Sequence, residues 1–476
     1  MAIKIALPKG RLLRKTAALL QKADWGLDEY HSKISFYHPK SRRFPDIIIK
    51  VLHEKDIPIQ VAVGNYDLGI CCLDWIEELL AKYPSSDIVK VKDLLYGEGA
   101  LYMAAGSSQV VSSMERMNST SVVRIASEYH NLAESLALKA RLSRFSIFPV
   151  WGAAEVYPPE NADMALLAAK AETELVSYGL VPVSKAFDFS AFLIANRNSW
   201  ESKNLNEVVA SICDKLPEAE KKAHLKEEVS QARISRHYPI EAMAEDIVRL
   251  ALPDGHQQQP TLSLLNKAGI QIDDYPSDTG NRRPRVNLEG VSAKVIRPQD
   301  MPLQVANGNF DLAITGRDWL REHLYQFPSS PVKELLDLKS GRVKLVAVAS
   351  QDLPVKDTNS LRQFIAERGE PLRVASEYVN IADKYVRDNR LGHYRVIPTW
   401  GATEAFLPED ADLLVENTQT GRTIAKHNLK IIDTLFESTA CLIGNANNKL
   451  SLTKRGRVRS IMERLQTAVE DLVEDH

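Results

Sequence analysis

"DIPIQVAVGNYDLGICCLDW" fills residues 56–75, and "DMPLQVANGNFDLAITGRDW" fills residues 300–319. Set side by side without a gap, the two agree at 12 of 20 positions. A match this long marks an internal repeat, and the rest of the chain extends it in both directions. Upstream, "KIALPKGR" (4–11) returns as "RLALPDGH" (249–256). Downstream, "YPSS" (83–86) pairs with "FPSS" (327–330), and "RIASEYHNLA" (124–133) with "RVASEYVNIA" (373–382). "VWGAAEVYPPENAD" (150–163) pairs with "TWGATEAFLPEDAD" (399–412). The order is collinear and the gaps are small, so the chain is a tandem duplication of a unit of about 200 residues.

Within each copy, short apolar runs such as "IKIAL", "DIIIKVL", "YDLGI" and "LRVAS" alternate with helix-length segments. That alternation predicts parallel α/β layers, with two lobes and a cleft in each copy. The charge-rich stretch "PEAEKKAHLKEEVSQARISRHYPIEAMAEDIVRL" (217–250) reads as a solvated helical connector. The expected division is a first copy over 1–216, a connector over 217–248, a second copy over 249–445 and a C-terminal helix over 446–476.

The totals exclude several function classes. At 476 residues the chain is too long for one core. Sixty Lys and Arg against 62 Asp and Glu leave a formal charge of −2, so no global field recruits nucleic acid or an anionic membrane. The four cysteines, Cys71, Cys72, Cys213 and Cys441, form no C-x-x-C pair and are expected as buried reduced thiols. The apolar-leaning start "MAIKIALPKGR" is too short for a signal-peptide core, and no apolar run of membrane-spanning length occurs. A cytoplasmic protein is expected.

Three loops carry chemistry, and each can be judged in both copies. In "ALPKGR", Lys9, Gly10 and Arg11 follow an apolar strand and suit a phosphate or pyrophosphate. The second copy replaces Lys9 by Asp254 and Arg11 by His256, which discourages an anion. In "ITGRD", Thr315 and Gly316 offer a hydroxyl and an open N–H, whereas the first copy has Cys71 and Cys72. The third loop lies in "LVENTQTGRTIAKHNL" (414–429). Glu416 ends an apolar run, and Thr420, Gly421, Arg422 and Thr423 form a small-polar turn fit to cradle a phosphomonoester. The acid ahead of it can accept hydrogen bonds from vicinal ribose hydroxyls. In the first copy the matching positions are Leu167, Ala171, Glu172 and Glu174, which should abolish phosphate binding.

With "ALPKGR", "DIP…G…DLGI", "WGATE" and "ENTQTGRT" in this order, both copies resemble ATP phosphoribosyltransferase, the first enzyme of histidine biosynthesis, nearly end to end. The resemblance implies a two-lobed, periplasmic-binding-protein-like catalytic unit that works as a dimer or larger assembly. It implies transfer of phosphoribosyl from phosphoribosyl pyrophosphate to N1 of ATP, with Mg²⁺ carried by the substrates and no resident metal. Carried over, Glu416 would hold the ribose hydroxyls and Thr420, Gly421, Arg422 and Thr423 the 5-phosphate. Thr315 and Gly316 match a second small-residue turn, Arg297 a basic position used towards ATP, and Lys9, Gly10 and Arg11 the turn facing pyrophosphate. The intact basic turn and the intact cradle lie in different copies, so an active site would be shared across a pseudo-dimer within one chain. The family's long form ends in a regulatory domain and its short form uses a synthetase-like partner. Histidine feedback in this chain could be absent, borne by a partner, or hosted by the degenerate first cleft.

Two other classes fit the residues less well. A Ser-His-Asp or Cys-His hydrolase is disfavoured, because no G-x-S-x-G occurs and the 11 histidines are scattered, with only His53, His130 and His427 near motif loops. A non-catalytic ligand-binding or regulatory subunit on the same fold is the alternative, favoured by the degenerate first copy and disfavoured by the intact "ENTQTGRT".

Overall fold

A computed structural model describes residues 2–31, 37–106, 122–216, 246–278, 280–401, 403–448 and 450–474. Most of the expected connector therefore lies outside the described residues. The described chain forms four five-stranded sheets, two in each copy, flanked by helices. We call the lobes Ia and Ib in the first copy and IIa and IIb in the second.

Lobe Ia orders its strands Ile48–His53, Lys4–Lys9, Leu68–Cys72, Ala191–Asn196, Ile88–Asp93. Lobe IIa repeats this with Val291–Ile296, Val248–Pro253, Leu312–Gly316, Ala440–Asn445, Val332–Asp337. Lobe Ib runs Phe145–Pro149, Val123–Ser127, Met164–Ala169, Gly99–Gly106, Leu180–Phe189. Lobe IIb follows with Tyr394–Pro398, Leu372–Ser376, Leu413–Thr418, Val343–Ser350, Leu429–Ser438. The fold is thus two tandem copies of a two-lobed, periplasmic-binding-protein-like α/β unit.

The sheets are mixed rather than wholly parallel. Lys4–Lys9 pairs in parallel with both neighbours, but Ala191–Asn196 runs antiparallel to Leu68–Cys72 and to Ile88–Asp93. The reason is the double crossing between lobes. The chain leaves lobe Ia after Ile88–Asp93, builds lobe Ib, and re-enters from the opposite end. Strand interiors such as Ile5, Ala6 and Leu7 are fully buried because helices or another lobe cover both faces.

Each copy pins its own two lobes with the same contacts. Glu78 accepts from the Asn131 and Leu132 backbone N–H groups at 3.0 and 2.9 Å, at the start of helix His130–Lys139. Glu322 does the same for Asn380 and Ile381, at 2.8 and 2.9 Å. A carboxylate placed on the free N–H groups of a helix start is favourable in both hydrogen bonding and dipole. Beside these, Trp75 stacks on Tyr129 and Trp319 on Tyr378, at centroid distances of 4.4 and 4.2 Å. Each tyrosine donates to a buried aspartate, Asp74 or Asp318.

Between the copies the lobes exchange partners. One continuous core joins Ile5, Leu7 and Val51 of lobe Ia to Val346, Ala405, Phe406 and Leu414 of lobe IIb. A second joins Ala126, Tyr157 and Ala165 of lobe Ib to Ile296, Met301, Phe310 and Ala313 of lobe IIa. Buried lysines lock both seams. Lys50 of lobe Ia reaches Glu409 at 2.7 Å and Asp410 at 3.1 Å. Lys294 of lobe IIa reaches Glu160 at 2.8 Å and the Asn161 side-chain oxygen at 2.6 Å. The 23-residue helix Leu452–Glu474 is not a separate body, since Ile461, Leu465, Ala468 and Val469 complete the outer core of lobe IIa. The cysteines are free thiols, with Cys71, Cys72 and Cys441 buried and Cys213 partly so.

Candidate active site

Strand Leu413–Thr418 is buried through Val415, then rises towards the surface, so that Glu416, Asn417 and Thr418 are half-buried. The chain turns through Gln419, Thr420 and Gly421 into helix Arg422–Lys426. Gly421 has φ 72°, a left-handed conformation that an L side chain adopts only with strain. Its N–H donates to Thr418 Oγ1 at 2.9 Å. Gln419, Thr420, Arg422 and Thr423 are exposed. Thr418, Thr420 and Thr423 border a cavity of about 330 Å³, together with Glu416, Glu404 and His256. The turn is neither buried nor stretched flat, and Thr420 Oγ1 accepts from the Arg422 N–H at 3.5 Å.

Glu416 sits in a cluster of acids. Burial, then the nearby Glu377 and Glu404, hold its carboxyl well above the usual range, and the Asn417 N–H donates to it at 3.0 Å. Glu377 is pushed up to about 7 by burial and by Glu404, with Arg297 and Lys55 pulling the other way. These carboxyls can carry protons near neutral pH until a ligand supplies hydroxyl donors or positive charge.

The first copy treats the same turn differently. Helix Glu172–Ser177 begins after Ala171, whose φ is −155°. Glu174, in the place of Thr423, folds back to accept the Lys170 N–H at 2.7 Å and the Tyr178 hydroxyl at 3.1 Å. A carboxylate of the chain itself occupies the turn. Leu167, in the place of Glu416, is buried and offers no acceptor.

Lys9 does not line the cavity at Thr420 but is linked through Tyr37 to His427, just past the second copy's turn. Its Nζ donates to the Tyr37 hydroxyl at 3.0 Å, and the Tyr37 ring stacks on His427, centroids 5.0 Å apart. His427 directly follows helix Arg422–Lys426. Burial lowers its pKa, and Lys426 and Lys9 lower it further, so the imidazole is neutral at pH 7. Gly10 has φ 93° and open space around it, leaving the backbone of this turn approachable. At the symmetric position Asp254 is already neutralised by Arg282 and Arg297, each at 2.8 Å.

Four expected site residues stand elsewhere. The Arg11 guanidinium is held by Glu54 at 2.7 Å and Asp74 at 2.6 Å, and it lines the first copy's cleft rather than the cavity at Thr420. The Thr315 hydroxyl is fully buried and donates to the Pro298 carbonyl at 2.9 Å. Gly316 pairs with Ala440 in the sheet, and a Cβ there would meet Asp318 Oδ1 at 2.0 Å. These two residues shape the end of their strand and present nothing to a ligand, because the loop before Asp300 folds over them. Arg297 also faces the first copy's cleft, with its Nε 3.1 Å from where a Cβ on Gly152 would lie. Glu377, Glu404 and Tyr37 went unnoticed in the sequence. Glu377 and Glu404 could have been found as the acids inside the repeated "ASEY" and "WGATE" motifs.

The fold and this site define a duplicated two-lobed α/β protein with one open small-polar turn backed by acids. A family model described as ATP phosphoribosyltransferase (HisG) matches residues 53–218 and again 297–467. The chain belongs to the ATP phosphoribosyltransferase family. It is 32% identical over 226 residues to the ATP phosphoribosyltransferase of Prosthecochloris aestuarii, covering 48% of this chain and 73% of that one. It is 34% identical over 209 residues to that of Saccharolobus solfataricus, covering 42% and 65%. Among solved structures, the ATP phosphoribosyl transferase complex of Thermotoga maritima aligns with 47% of this chain and 100% of its own, at 22% identity and a TM-score of 0.38.

Proposed function

We propose that this chain is an ATP phosphoribosyltransferase of histidine biosynthesis that works through one composite site per chain. It transfers phosphoribosyl from phosphoribosyl pyrophosphate to N1 of ATP and releases pyrophosphate. The observation that carries the reading is the open Thr420–Thr423 turn, with Glu416 and Glu404 in the wall of its cavity and Lys9 of the other copy linked through Tyr37 to His427. Thr420, Gly421, Arg422 and Thr423 bind the 5-phosphate, and Glu416 accepts from the ribose hydroxyls. Lys9, with the open Gly10 backbone, meets the pyrophosphate charge. Arg11 and Arg297 act at a distance by shaping the neighbouring cleft, and Thr315 and Gly316 act as scaffold.

The reaction asks for positioning and charge rather than covalent help. Positive charge builds on ribose C1 as its bond to pyrophosphate breaks, and the acids around Glu416 stabilise it. Negative charge grows on the departing pyrophosphate, where Lys9 and Mg²⁺ brought by the substrates offset it. Adenine N1 carries its own lone pair and needs no general base.

The proposed division, drawn from the repeat, keeps copies over 1–216 and 249–445, a connector over 217–248 and a C-terminal helix over 446–476, whose Ile461 and Leu465 pack into lobe IIa. The two copies form a pseudo-dimer, and no described helix is long and apolar enough to cross a membrane. A cytoplasmic location suits the proposed substrates. Incubation with ATP, phosphoribosyl pyrophosphate and Mg²⁺, followed by adduct absorbance, tests the activity. Tight binding without turnover would move the protein to the non-catalytic subunits.

A further inference from the structure

Between lobes Ia and Ib lies a cavity of about 450 Å³, to which the second copy adds Arg297, Gln299, Glu377 and Trp400. Its size suits a small ligand. Because Glu174 already fills the nearby phosphate turn, the cleft repels a phosphomonoester.

The cations of its wall are already paired. Arg11 is bound to Glu54 and Asp74, Lys55 to Glu128 at 2.5 Å, and Arg297 to Asp254 at 2.8 Å. The lining acids Glu54, Glu128, Glu155 and Glu377 outnumber these three bases. Two lining acceptors, Glu54 Oε2 and Gln299 Oε1, are buried with no hydrogen-bond partner. Glu54 itself is only 7% exposed. A buried acceptor left without a donor is destabilising, more so when charged, so both atoms call for a donor. Trp151 and Trp400 add aromatic wall, their rings 6.3 Å apart and tilted by 41°. The Lys55 ammonium rests 4.7 Å from the Trp75 ring centre, so the wall already holds one cation against an indole. In the second copy Glu54 corresponds to Pro298 and Gln299 to Lys55's own position, so the pair of empty acceptors belongs to the first cleft alone.

We propose that the first copy's cleft binds a small organic cation bearing N–H donors, held by Glu54 and Gln299 and packed against Trp151 and Trp400. Burial lifts the Glu54 carboxyl to about 7, helped by Asp74 and opposed by Arg11 and Lys55. A bound cation would offset that burial.

The test titrates the full chain, without ATP or phosphoribosyl pyrophosphate, with benzamidine, benzamide and tetramethylammonium, read by tryptophan fluorescence and calorimetry. Benzamidine should bind at a single site, more than about tenfold tighter than uncharged benzamide or donor-free tetramethylammonium, since hydrogen bonds to charged groups are the strong ones. Glu54→Gln should weaken it by about tenfold or more, and Gln299→Met by a smaller factor. Thr420→Ala with Thr423→Ala should leave it unchanged. Equal binding of benzamide, indifference to Glu54→Gln, or no benzamidine binding would each overturn the proposal. Should circular dichroism show Glu54→Gln misfolded, Gln299→Met decides. No outcome here depends on turnover, so the transferase reading stands or falls separately.

Discussion

The turn after Met164–Ala169 and the turn after Leu413–Thr418 leave six-residue strands at the same depth of their lobes, yet they reach opposite electrostatic ends. In the second copy, Gly421 takes a left-handed φ and the threonines border a cavity. In the first, Glu172 stands in the glycine's place, the helix starts after an extended Ala171, and Glu174 curls into the gap. Losing a site therefore took more than removing its ligands. The backbone was rebuilt once glycine was gone, and a side chain was supplied to satisfy the amide that a phosphate would have met.

The largest expected effect breaks the intact turn. Thr420→Ala with Thr423→Ala removes two charge-assisted hydrogen bonds, about 3–6 kcal/mol in all, and phosphoribosyl pyrophosphate binding should fall by a hundredfold or more in calorimetry. Unchanged affinity would refute the cradle.

The seams give the next contrast. Lys50→Met strands the buried Asp410 and should cost about 3–5 kcal/mol in urea unfolding. Lys294→Met should cost clearly less, because its partners are the neutral Asn161 and the partly exposed Glu160. Equal losses would mean that the charge on Asp410 is not what distinguishes the seams.

Lys9→Ala probes whether the copies share chemistry. Loss of one charge-assisted contact, about 1.5–3 kcal/mol, should lower kcat/KM about tenfold to a hundredfold while the melting temperature barely moves. Kinetic silence would sever the first copy from catalysis.

Glu377 offers a subtler contrast through pH. Its carboxyl titrates near 7 in the fold, above the ordinary 4.5. Between those values the unfolded chain has released a proton that the native chain keeps, so stability falls as pH rises, by up to about 1.4 kcal/mol per pH unit. Glu377→Gln should flatten that fall between pH 5 and 7, in unfolding curves compared with the parent. An unaltered slope would show that the carboxyl ionises normally.

Smallest of all is the reverse graft. Glu172→Gly with Glu174→Thr should leave turnover within about twofold and should not create a second phosphate site, because Leu167 and Ala171 still lack polar groups. Calorimetry showing two phosphoribosyl pyrophosphate molecules per chain would mean the carboxylates alone had kept the first turn shut.

Much of this was legible in the sequence. The repeat announced itself in 12 shared positions of one twenty-residue stretch, and the open turn in a glycine between threonines. What stayed hidden depends on which lobe faces which. Nothing in the spacing of "FYHPK" says that Tyr37 will lie on a histidine nearly 400 residues later. The basic look of "KGR" could not reveal that Arg11 is neutralised by Asp74 and Glu54, since those partners come from separate strand ends. Glu172 and Glu174 read as mere spoilers of a site, whereas the second serves as its permanent occupant.

The exchanged cores carry one last consequence, for how such a chain can change over time. Phe406 and Leu414 are covered by the opposite half, as are Met301 and Phe310, so either half expressed by itself would bare a sticky wall and precipitate. Mutation is free to erase the older chemistry of the first half but not its greasy inner surfaces. The first half persists as an obligatory packing partner of the second, and that leaves its own cleft at liberty to acquire a different employment.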